Sequence, residues 1–239
     1  MIDLELSPTT VLRKEGKSFY WASFFLPKNS KKNAGILYSI CRYFDDIADK
    51  NSEDKTSYLK KSINEIRNNQ NNKVNLFLQK NKINNSILID LIEGLILDQT
   101  QIKIQNKEEL IKYSYHVAGT VGLMMSKIIG VKHEKAAQSA IDLGIGMQLT
   151  NIARDVYEDS KMKRIYLPAN WIPNISLKNL NDLHNKSSEN DERISNAIHE
   201  VIGLSDKFYE NGFAGLKYIP LSTRLGIFIA ANIAILVED

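Results

Sequence analysis

The chain has 239 residues, of which 43% are hydrophobic and 25% are charged, and its 31 basic and 28 acidic side chains leave a net charge of +3. This composition suits one sizeable globular core and excludes disordered and collagen-like proteins. The charge is too small to favour nucleic-acid binding, and the single cysteine, Cys41, excludes an intrachain disulfide and a thiolate zinc site.

Helical periodicity runs through almost the whole chain, and no two-residue alternation or Asn-Gly turn indicates a β-hairpin. Only 12 glycines and 5 prolines interrupt the pattern, which is typical of long helices joined by short loops. The sequence therefore predicts an all-α protein. The predicted helices lie near residues 9–25, 31–49, 52–70, 85–100, 107–129, 133–159, 187–216 and 221–237.

Local signals mark several helix ends. Ser7, which precedes a proline, is typical of a helix N-cap, and Asn106 with Glu109 resembles a capping box. The Asn-rich stretch 64–85 predicts a solvated helix end and a loop. No repeat or linker divides the chain, so we expect one domain over residues 1–239.

The sequence shows no export signal. Its first residues, MIDLELSPTT, include acidic residues where a signal peptide has basic residues followed by an apolar run. The most apolar segment, 225–237, is shorter than the roughly 20 residues that a membrane-spanning helix needs. We therefore expect a cytoplasmic protein, with this segment as a buried helix.

The segment GIGMQLTNIARDVYED, residues 144–159, combines apolar residues with a polar stripe. Gln148, Asn151, Asp155 and Asp159 recur three or four residues apart, so they share one face of a helix over about three turns. The other residues of the segment are typical of a packed helix. Unpaired carboxylates buried there would cost several kcal/mol, so the stripe needs a partner.

A second acidic stripe lies in YSICRYFDDIADK. Tyr38, Arg42, Asp45 and Asp49 follow one another at spacings of four, three and four residues, which again places them on one helical face. Carboxylates one turn apart repel each other and raise each other's pKa unless a cation lies between them. A divalent metal ion is the simplest such cation.

All-oxygen ligands favour Mg²⁺, which binds through one or two carboxylates together with the phosphates of a substrate. Arg42 and Arg154 lie beside the two acidic stripes and are suited to bidentate contact with the same phosphates. The spacing therefore predicts two acidic clusters that hold magnesium against a diphosphate. A structural helix with salt bridges from Arg154 and Lys161 is the alternative.

Other site motifs are absent from the sequence. The four histidines show no metal-binding spacing, and no Walker loop, strand-associated GxGxxG or GxSxG motif occurs. Gly119 and Gly122 lie within a predicted helix, where we expect them to permit close helix packing rather than to bind a ligand.

Four blocks of the sequence resemble the squalene and phytoene synthase family, and most closely its phytoene synthases. In chain order they are KSFYWASFFLP, LYSICRYFDDIAD, YHVAGTVGLMMSKIIGV and DLGIGMQLTNIARDVYEDSKMKRIYLPANW. The resemblance runs from about residue 9 to about residue 237. It implies an isoprenoid synthase fold, a single helical bundle around a central cavity, with the two acidic motifs facing each other across its mouth.

The resemblance also implies an activity. Phytoene synthases are prenyltransferases of carotenoid biosynthesis that condense two geranylgeranyl diphosphates head to head, through prephytoene diphosphate, to give phytoene and diphosphate. The implied cofactor is Mg²⁺, with Mn²⁺ as a substitute, and the phytoene reaction requires no NADPH. The implied partners are the prenyl diphosphate and, for so apolar a substrate, a transiently contacted membrane surface. The oligomeric state stays open.

The family pattern assigns roles to residues of this chain. By this match, magnesium is held by Asp45, Asp49, Asp155, Asp159 and Asn151, and diphosphate is bound by Arg42, Arg154 and Arg164. Substrate or metal-bound water is positioned by Gln148 and Asn151, and substrate is also contacted by Ser18 and Phe19. The cavity near the reacting carbons is lined by Tyr38 and Tyr115.

The chain departs from the family pattern in two places. First, Gly16 stands where many relatives have a phosphate-binding serine, for which Ser18 is a substitute. Second, relatives usually continue beyond the last predicted helix, so we expect the cavity of this chain to be open on one side. Two alternatives to a phytoene synthase remain. One is a sibling that uses farnesyl diphosphate to make dehydrosqualene, squalene or presqualene diphosphate, and the other is a catalytically silent relative that acts as an assembly or binding protein.

Overall fold

The computed structural model describes residues 20–21, 23–49, 54–99, 104–181 and 189–236. Every long regular element in these ranges is a helix, which confirms the predicted all-α class. The helices are α1 (Lys28–Asp49), α2 (Lys55–Arg67), α3 (Lys73–Lys80), α4 (Asn85–Leu97), α5 (Lys107–Ser114), α6 (Thr120–Ile128), α7 (Glu134–Arg154), α8 (Val156–Lys161), α9 (Leu177–Asn181), α10 (Glu189–Ala214) and α11 (Leu221–Leu236). A π-helical turn, Tyr115–Gly119, joins α5 to α6.

Most predicted helices are present with small shifts at their ends, but four expectations were wrong. The apolar segment expected to be a buried helix, 225–237, forms most of α11, but Leu225 and Phe228 on it are about half exposed. The stretch expected to be a loop contains α3, because Val74, Phe77 and Leu78 bury one side of it despite the surrounding asparagines. The helix predicted over 133–159 ends at Arg154 and restarts as α8. The short helix α9 was not predicted.

Two further predictions concern helix starts. The backbone N–H of Glu109 donates to Asn106 Oδ1 at 2.9 Å, so Asn106 caps α5 as expected. The Glu109 side chain accepts from the backbone N–H of Gln105 at 2.8 Å, which completes a close variant of the capping box. Most of the helix predicted over 9–25, including the N-cap at Ser7, lies outside the described residues.

Helix α7 lies at the centre of the bundle, where it packs against α5, α6, α10, α11 and the π-helical turn. Small residues allow this close contact. Gly144 faces the backbone of Ala118, and Gly146 faces the ring of Tyr209 on α10. The hydroxyl of Thr150 lies 3.1 Å from that of Tyr209, so a buried hydrogen bond also joins α7 to α10.

Two groups of buried apolar side chains form most of the core. One joins α1, α2, α3, α4 and α6, with Leu37, Phe44 and Leu88 fully buried. The other joins α5, α7, α10 and the loop after α8, and includes Leu149 and Ile152. The arrangement leaves space between the two groups. In the part of the chain that the structure describes, no helix is both long enough and apolar enough to span a membrane.

The glycines give a test of helix packing. A Cβ at Gly122 would lie 2.0 Å from the carbonyl oxygen of Ala140 on α7, which confirms the predicted close packing. We expect Gly122→Ala to lower the free energy of unfolding by about 1–3 kcal/mol, because the two helices must separate. The measurement is chemical denaturation monitored by circular dichroism.

Gly203→Ala on α10 is the matched control. No atom lies within 4 Å of a Cβ placed at Gly203. Alanine has the higher helix propensity, so this variant should gain about 0.5–1 kcal/mol in stability. A Gly122→Ala protein as stable as the Gly203→Ala protein would contradict the packing described for α6 and α7.

Candidate active site

A cavity of about 570 Å³ lies between the two core groups. Its wall is mainly apolar, with contributions from Leu37, Leu91, Val117, Val121, Met147 and Ile152. One part of the wall is polar and charged. The predicted site residues found there are Tyr38, Arg42, Asp45, Gln148, Asn151, Arg154, Asp155, Asp159 and Arg164. The fold thus brings both acidic stripes to one cavity.

Two of the predicted residues that the structure describes, Asp49 and Tyr115, are not on this wall. Asp49 is absent from the lining, but it belongs to the site through its ion pair with Arg164. The structure does not bring Tyr115 to the cavity: its ring packs at the π-helical turn, and its hydroxyl donates to Asp90 Oδ2 at 3.3 Å. Ser18 and Phe19 lie outside the described residues.

The first acidic stripe lies near the C-terminal end of α1. Arg42 reaches both neighbouring carboxylates, with Nη1 2.8 Å from Asp45 Oδ2 and Nε 2.8 Å from Asp46 Oδ1. These are contacts at i,i+3 and i,i+4, so the helix itself sets their geometry. One guanidinium therefore pairs with Asp45 of the stripe and with Asp46, which lies beside it.

The second acidic stripe crosses the break between α7 and α8. Asp155 is the C-cap of α7, with φ −97° and ψ 14°, and its backbone N–H still donates to Asn151 O at 2.9 Å. Asp159 N–H donates in turn to Asp155 O at 2.8 Å. The helical register is therefore kept across the break, and Asp155 and Asp159 stay on the face predicted for them.

Arg154 forms the shortest ion pair of the site. Its Nε and Nη2 atoms lie 2.7 and 2.6 Å from the two oxygens of Asp155, a bidentate contact between neighbours in sequence. Planar guanidinium binds carboxylate and phosphate oxygens with the same fork geometry. Arg154 is therefore suited to exchange this carboxylate for a phosphate.

A Schellman motif at the end of α8 places Arg164 in the site. Lys163 adopts the left-handed conformation with φ 62°, and its N–H donates to Ser160 O at 3.0 Å. The N–H of Arg164 donates to the carbonyl of Asp159 at 2.9 Å. The Arg164 side chain crosses to α1, where Nη2 lies 3.0 Å from Asp49 Oδ1. This guanidinium is the link between the two acidic stripes.

Two of the carboxylates, Asp45 and Asp159, have raised pKa values. Burial and the charge of Asp49 raise the pKa of Asp45 from 3.8 to about 6, although Arg42 opposes the shift. Burial and the charge of Asp155 raise the pKa of Asp159 from 3.8 to about 7, against the effect of Arg164. Both groups would gain from additional positive charge beside them.

The donor set suits a metal ion that is shared with a ligand. Within the described ranges, no three His, Cys, Asp or Glu side chains converge closely enough to hold a metal by themselves. The site instead offers pairs of carboxylates, whose oxygens are the metal-ligating atoms, with arginines beside them. Mg²⁺ typically takes one or two carboxylates and completes its octahedron with water and phosphate oxygens. The residues present fit such an ion.

Sequence reasoning missed one carboxylate of the cavity wall. Asp98, at the C-terminal end of α4, lines the cavity and accepts hydrogen bonds from the hydroxyls of Tyr113 and Tyr166. Asp98 lies far in sequence from both tyrosines and has no acidic partner one turn away, so spacing alone did not reveal it. Tyr166, the tyrosine of RIYLP, lies within one of the four family blocks, but the family pattern assigned it no role.

Comparison with known sequences places these residues in context. The squalene/phytoene synthase family profile matches residues 12–237. The 15-cis-phytoene synthase of Enterobacter agglomerans is 30% identical over 237 residues, which cover 91% of this chain and 79% of that protein. The phytoene synthase of Thermus thermophilus is 31% identical over 232 residues, which cover 92% of this chain and 77% of that protein.

Solved structures show the same architecture. A dehydrosqualene synthase crystallised with a ligand matches with a TM-score of 0.83 and 26% identity, over 95% of this chain and 81% of that one. A squalene synthase from Alicyclobacillus acidocaldarius matches with a TM-score of 0.78 and 18% identity, over 96% of this chain and 90% of that one. The predicted isoprenoid synthase fold is confirmed.

The raised pKa of Asp159 predicts how stability depends on pH. The folded protein retains this proton up to about pH 7, whereas the unfolded chain releases it near pH 4. Ionisation of Asp159 therefore destabilises the folded protein. The free energy of unfolding should fall as the pH rises from about 4 to 7. We expect Asp159→Asn to raise the melting temperature above that of the wild type at pH 8, with little difference at pH 4, in calorimetry with EDTA present.

The control is Asp206→Asn, which removes one charge from the exposed face of α10. Its melting temperature should follow that of the wild type at both pH values. If Asp159→Asn were no more stable relative to the wild type at pH 8 than at pH 4, the raised pKa assigned to Asp159 would be wrong.

Proposed function

The chain belongs to the squalene/phytoene synthase family of prenyltransferases, and we propose that it condenses two molecules of geranylgeranyl diphosphate head to head to give phytoene. The reaction passes through prephytoene diphosphate and releases two diphosphates. One observation carries the proposal: a largely apolar cavity whose polar wall combines both acidic stripes with three arginines.

The charged wall suits a prenyl diphosphate headgroup. Arg42, Arg154 and Arg164 are each paired with a carboxylate of the stripes, and each is able to turn its guanidinium to phosphate oxygens. Such a turn would release Asp45, Asp49 and Asp155. These three carboxylates, with Asp159 and Asn151, are the groups that would hold Mg²⁺. Mg²⁺ supplies Lewis-acid stabilisation of the negative charge that develops on the departing diphosphate.

The protein's own part in the chemistry follows from these positions. The arginines bind and orient the diphosphate so that its bond to the allylic carbon points into the cavity, and they stabilise charge on the leaving oxygens. Gln148 and Asn151 position the substrate from the same face of α7. Tyr38, also on the wall, lies where it can contact the reacting carbons.

The apolar wall protects the carbocation. Loss of diphosphate leaves an allylic cation, which water would capture if it entered the cavity. Side chains such as Leu91, Val117 and Val121 exclude water and offer no nucleophile. No protein base is required at the end, because the released diphosphate is able to accept the final proton.

The choice of geranylgeranyl diphosphate rests on the sequence relatives, since the bacterial proteins about 30% identical to this chain are phytoene synthases. The alternative is a farnesyl diphosphate substrate and a dehydrosqualene product. It is favoured by the dehydrosqualene synthase that matches with a TM-score of 0.83. Both reactions use the same charged wall and differ in the length of prenyl chain inside the cavity.

A product assay tests the proposal. Purified protein is incubated with Mg²⁺ and radiolabelled geranylgeranyl or farnesyl diphosphate in separate reactions, and the extracted lipids are separated by chromatography. We expect a C40 product that co-migrates with phytoene, with farnesyl diphosphate used poorly. A C30 product alone would establish the alternative, and failure to release diphosphate from either substrate would point to a catalytically silent relative.

The metal assignment predicts the effect of one substitution. Asp155→Asn keeps the size of the side chain but removes a charge that would bind magnesium, so turnover should fall by about 100-fold or more. The melting temperature should change little, because Asp155 lies at the cavity rather than in the core. The readout is the initial rate of diphosphate release.

Asp206→Asn is the control for the loss of one negative charge and should keep the wild-type rate. An Asp155→Asn protein with wild-type turnover would contradict the metal assignment. Turnover restored to Asp155→Asn by excess Mg²⁺ would instead show that the residue affects metal affinity alone.

A further inference from the structure

Asp98 forms a hydrogen-bonded group with two tyrosines on the cavity wall, beside the charged residues. The Tyr166 hydroxyl donates to Asp98 Oδ1 at 2.7 Å, and the Tyr113 hydroxyl donates to Oδ2 at 3.2 Å. The two rings stack with centroids 5.0 Å apart and an interplanar angle of 22°. Tyr166 is only 6% exposed and Tyr113 only 9%, so both rings are fixed by packing.

The group ties three separate parts of the chain together. Asp98 ends α4, Tyr113 belongs to α5, and Tyr166 lies in the loop that follows α8. That loop begins with the left-handed Lys163 and carries Arg164 two residues before Tyr166. The loop segment 163–166 carries the Arg164 guanidinium that pairs with Asp49. The hydrogen bond from Tyr166 to Asp98 therefore anchors the C-terminal end of this segment.

The charge of Asp98 acts in the same region. Burial raises its pKa, and the hydrogen bond from Tyr166 and the charge of Arg164 oppose that rise. Asp98 in turn contributes to the raised pKa values of Asp45 and Asp159. The carboxylate is therefore within electrostatic reach of both acidic stripes and attracts the arginine that links them.

We propose that Asp98 is a positioning residue for the diphosphate site, which acts through the Tyr166 hydroxyl to hold Arg164 between the two acidic stripes. A charged acceptor makes a stronger hydrogen bond to a hydroxyl than a neutral one does. Asp98 itself contacts neither diphosphate nor metal in this arrangement. The inference rests on the proposed function only in that a diphosphate binds at Arg164.

The test measures binding rather than turnover. Inorganic diphosphate is titrated in the presence of saturating Mg²⁺ into the wild type and variants by isothermal calorimetry, with melting temperatures measured in parallel. We expect Tyr166→Phe and Asp98→Ala each to weaken binding by about tenfold. The double variant should bind no more weakly than the weaker single variant, because both changes break the same contact.

Two further variants separate positioning from direct metal binding. Asp98→Asn keeps an oxygen that accepts from Tyr166 but loses the charge, so its affinity for diphosphate should lie between those of the wild type and Asp98→Ala. If Asp98 held the metal, Asp98→Asn would bind as weakly as Asp98→Ala, and Tyr166→Phe would be harmless. Asp98→Asn also keeps the inference testable if Asp98→Ala does not fold.

Tyr58→Phe is the matched control. It removes a tyrosine hydroxyl whose partner is the hydroxyl of Tyr43, 2.5 Å away and outside the cavity. Its affinity for diphosphate should equal that of the wild type. Wild-type affinity in Tyr166→Phe, or additive losses in the double variant, would overturn the inference. A wild type that binds diphosphate but forms no prenyl product would overturn the proposed function and leave the inference intact.

Discussion

Repulsion between the carboxylates of two acidic stripes is the constraint on which the rest of the structure depends. Helix α1 and the α7–α8 pair bring their aspartates to one cavity, and burial strengthens the repulsion because little water remains to screen it. Three arginines offset this charge. Arg164 connects the two stripes, because it lies in the loop after α8, where its charge acts on Asp159, and it pairs with Asp49 of the first stripe.

The surrounding fold serves to keep this charged region beside an apolar space. Small residues such as Gly144 and Gly146 let neighbouring helices approach α7 closely, so the face that carries Gln148 and Asn151 is held rigidly at the wall. The apolar side chains of two core groups line the remaining space. The energetic cost of clustered carboxylates is thus confined to the place where a cation and a diphosphate would relieve it.

Helical spacing was enough to predict both stripes, because three- and four-residue intervals place side chains on one face wherever the helix packs. Helical spacing did not predict features that depend on the local backbone conformation or on distant contacts. The break at Asp155 carries no proline or glycine, and Lys163 adopts a left-handed conformation usually reserved for glycine. Asp98 meets Tyr166 only through the fold, 68 residues along the chain. Tyr115 shared a motif with cavity residues, yet it turns to Asp90.

The most direct test of the charged wall as a metal-diphosphate site is a crystal structure of the protein grown with Mn²⁺ and inorganic diphosphate, with anomalous diffraction used to locate the metal. The account predicts anomalous peaks beside Asp45 and Asp49 and beside Asp155 and Asp159, with diphosphate between them in contact with Arg164. Diphosphate bound elsewhere, or Mn²⁺ peaks at none of these four aspartates, would contradict it.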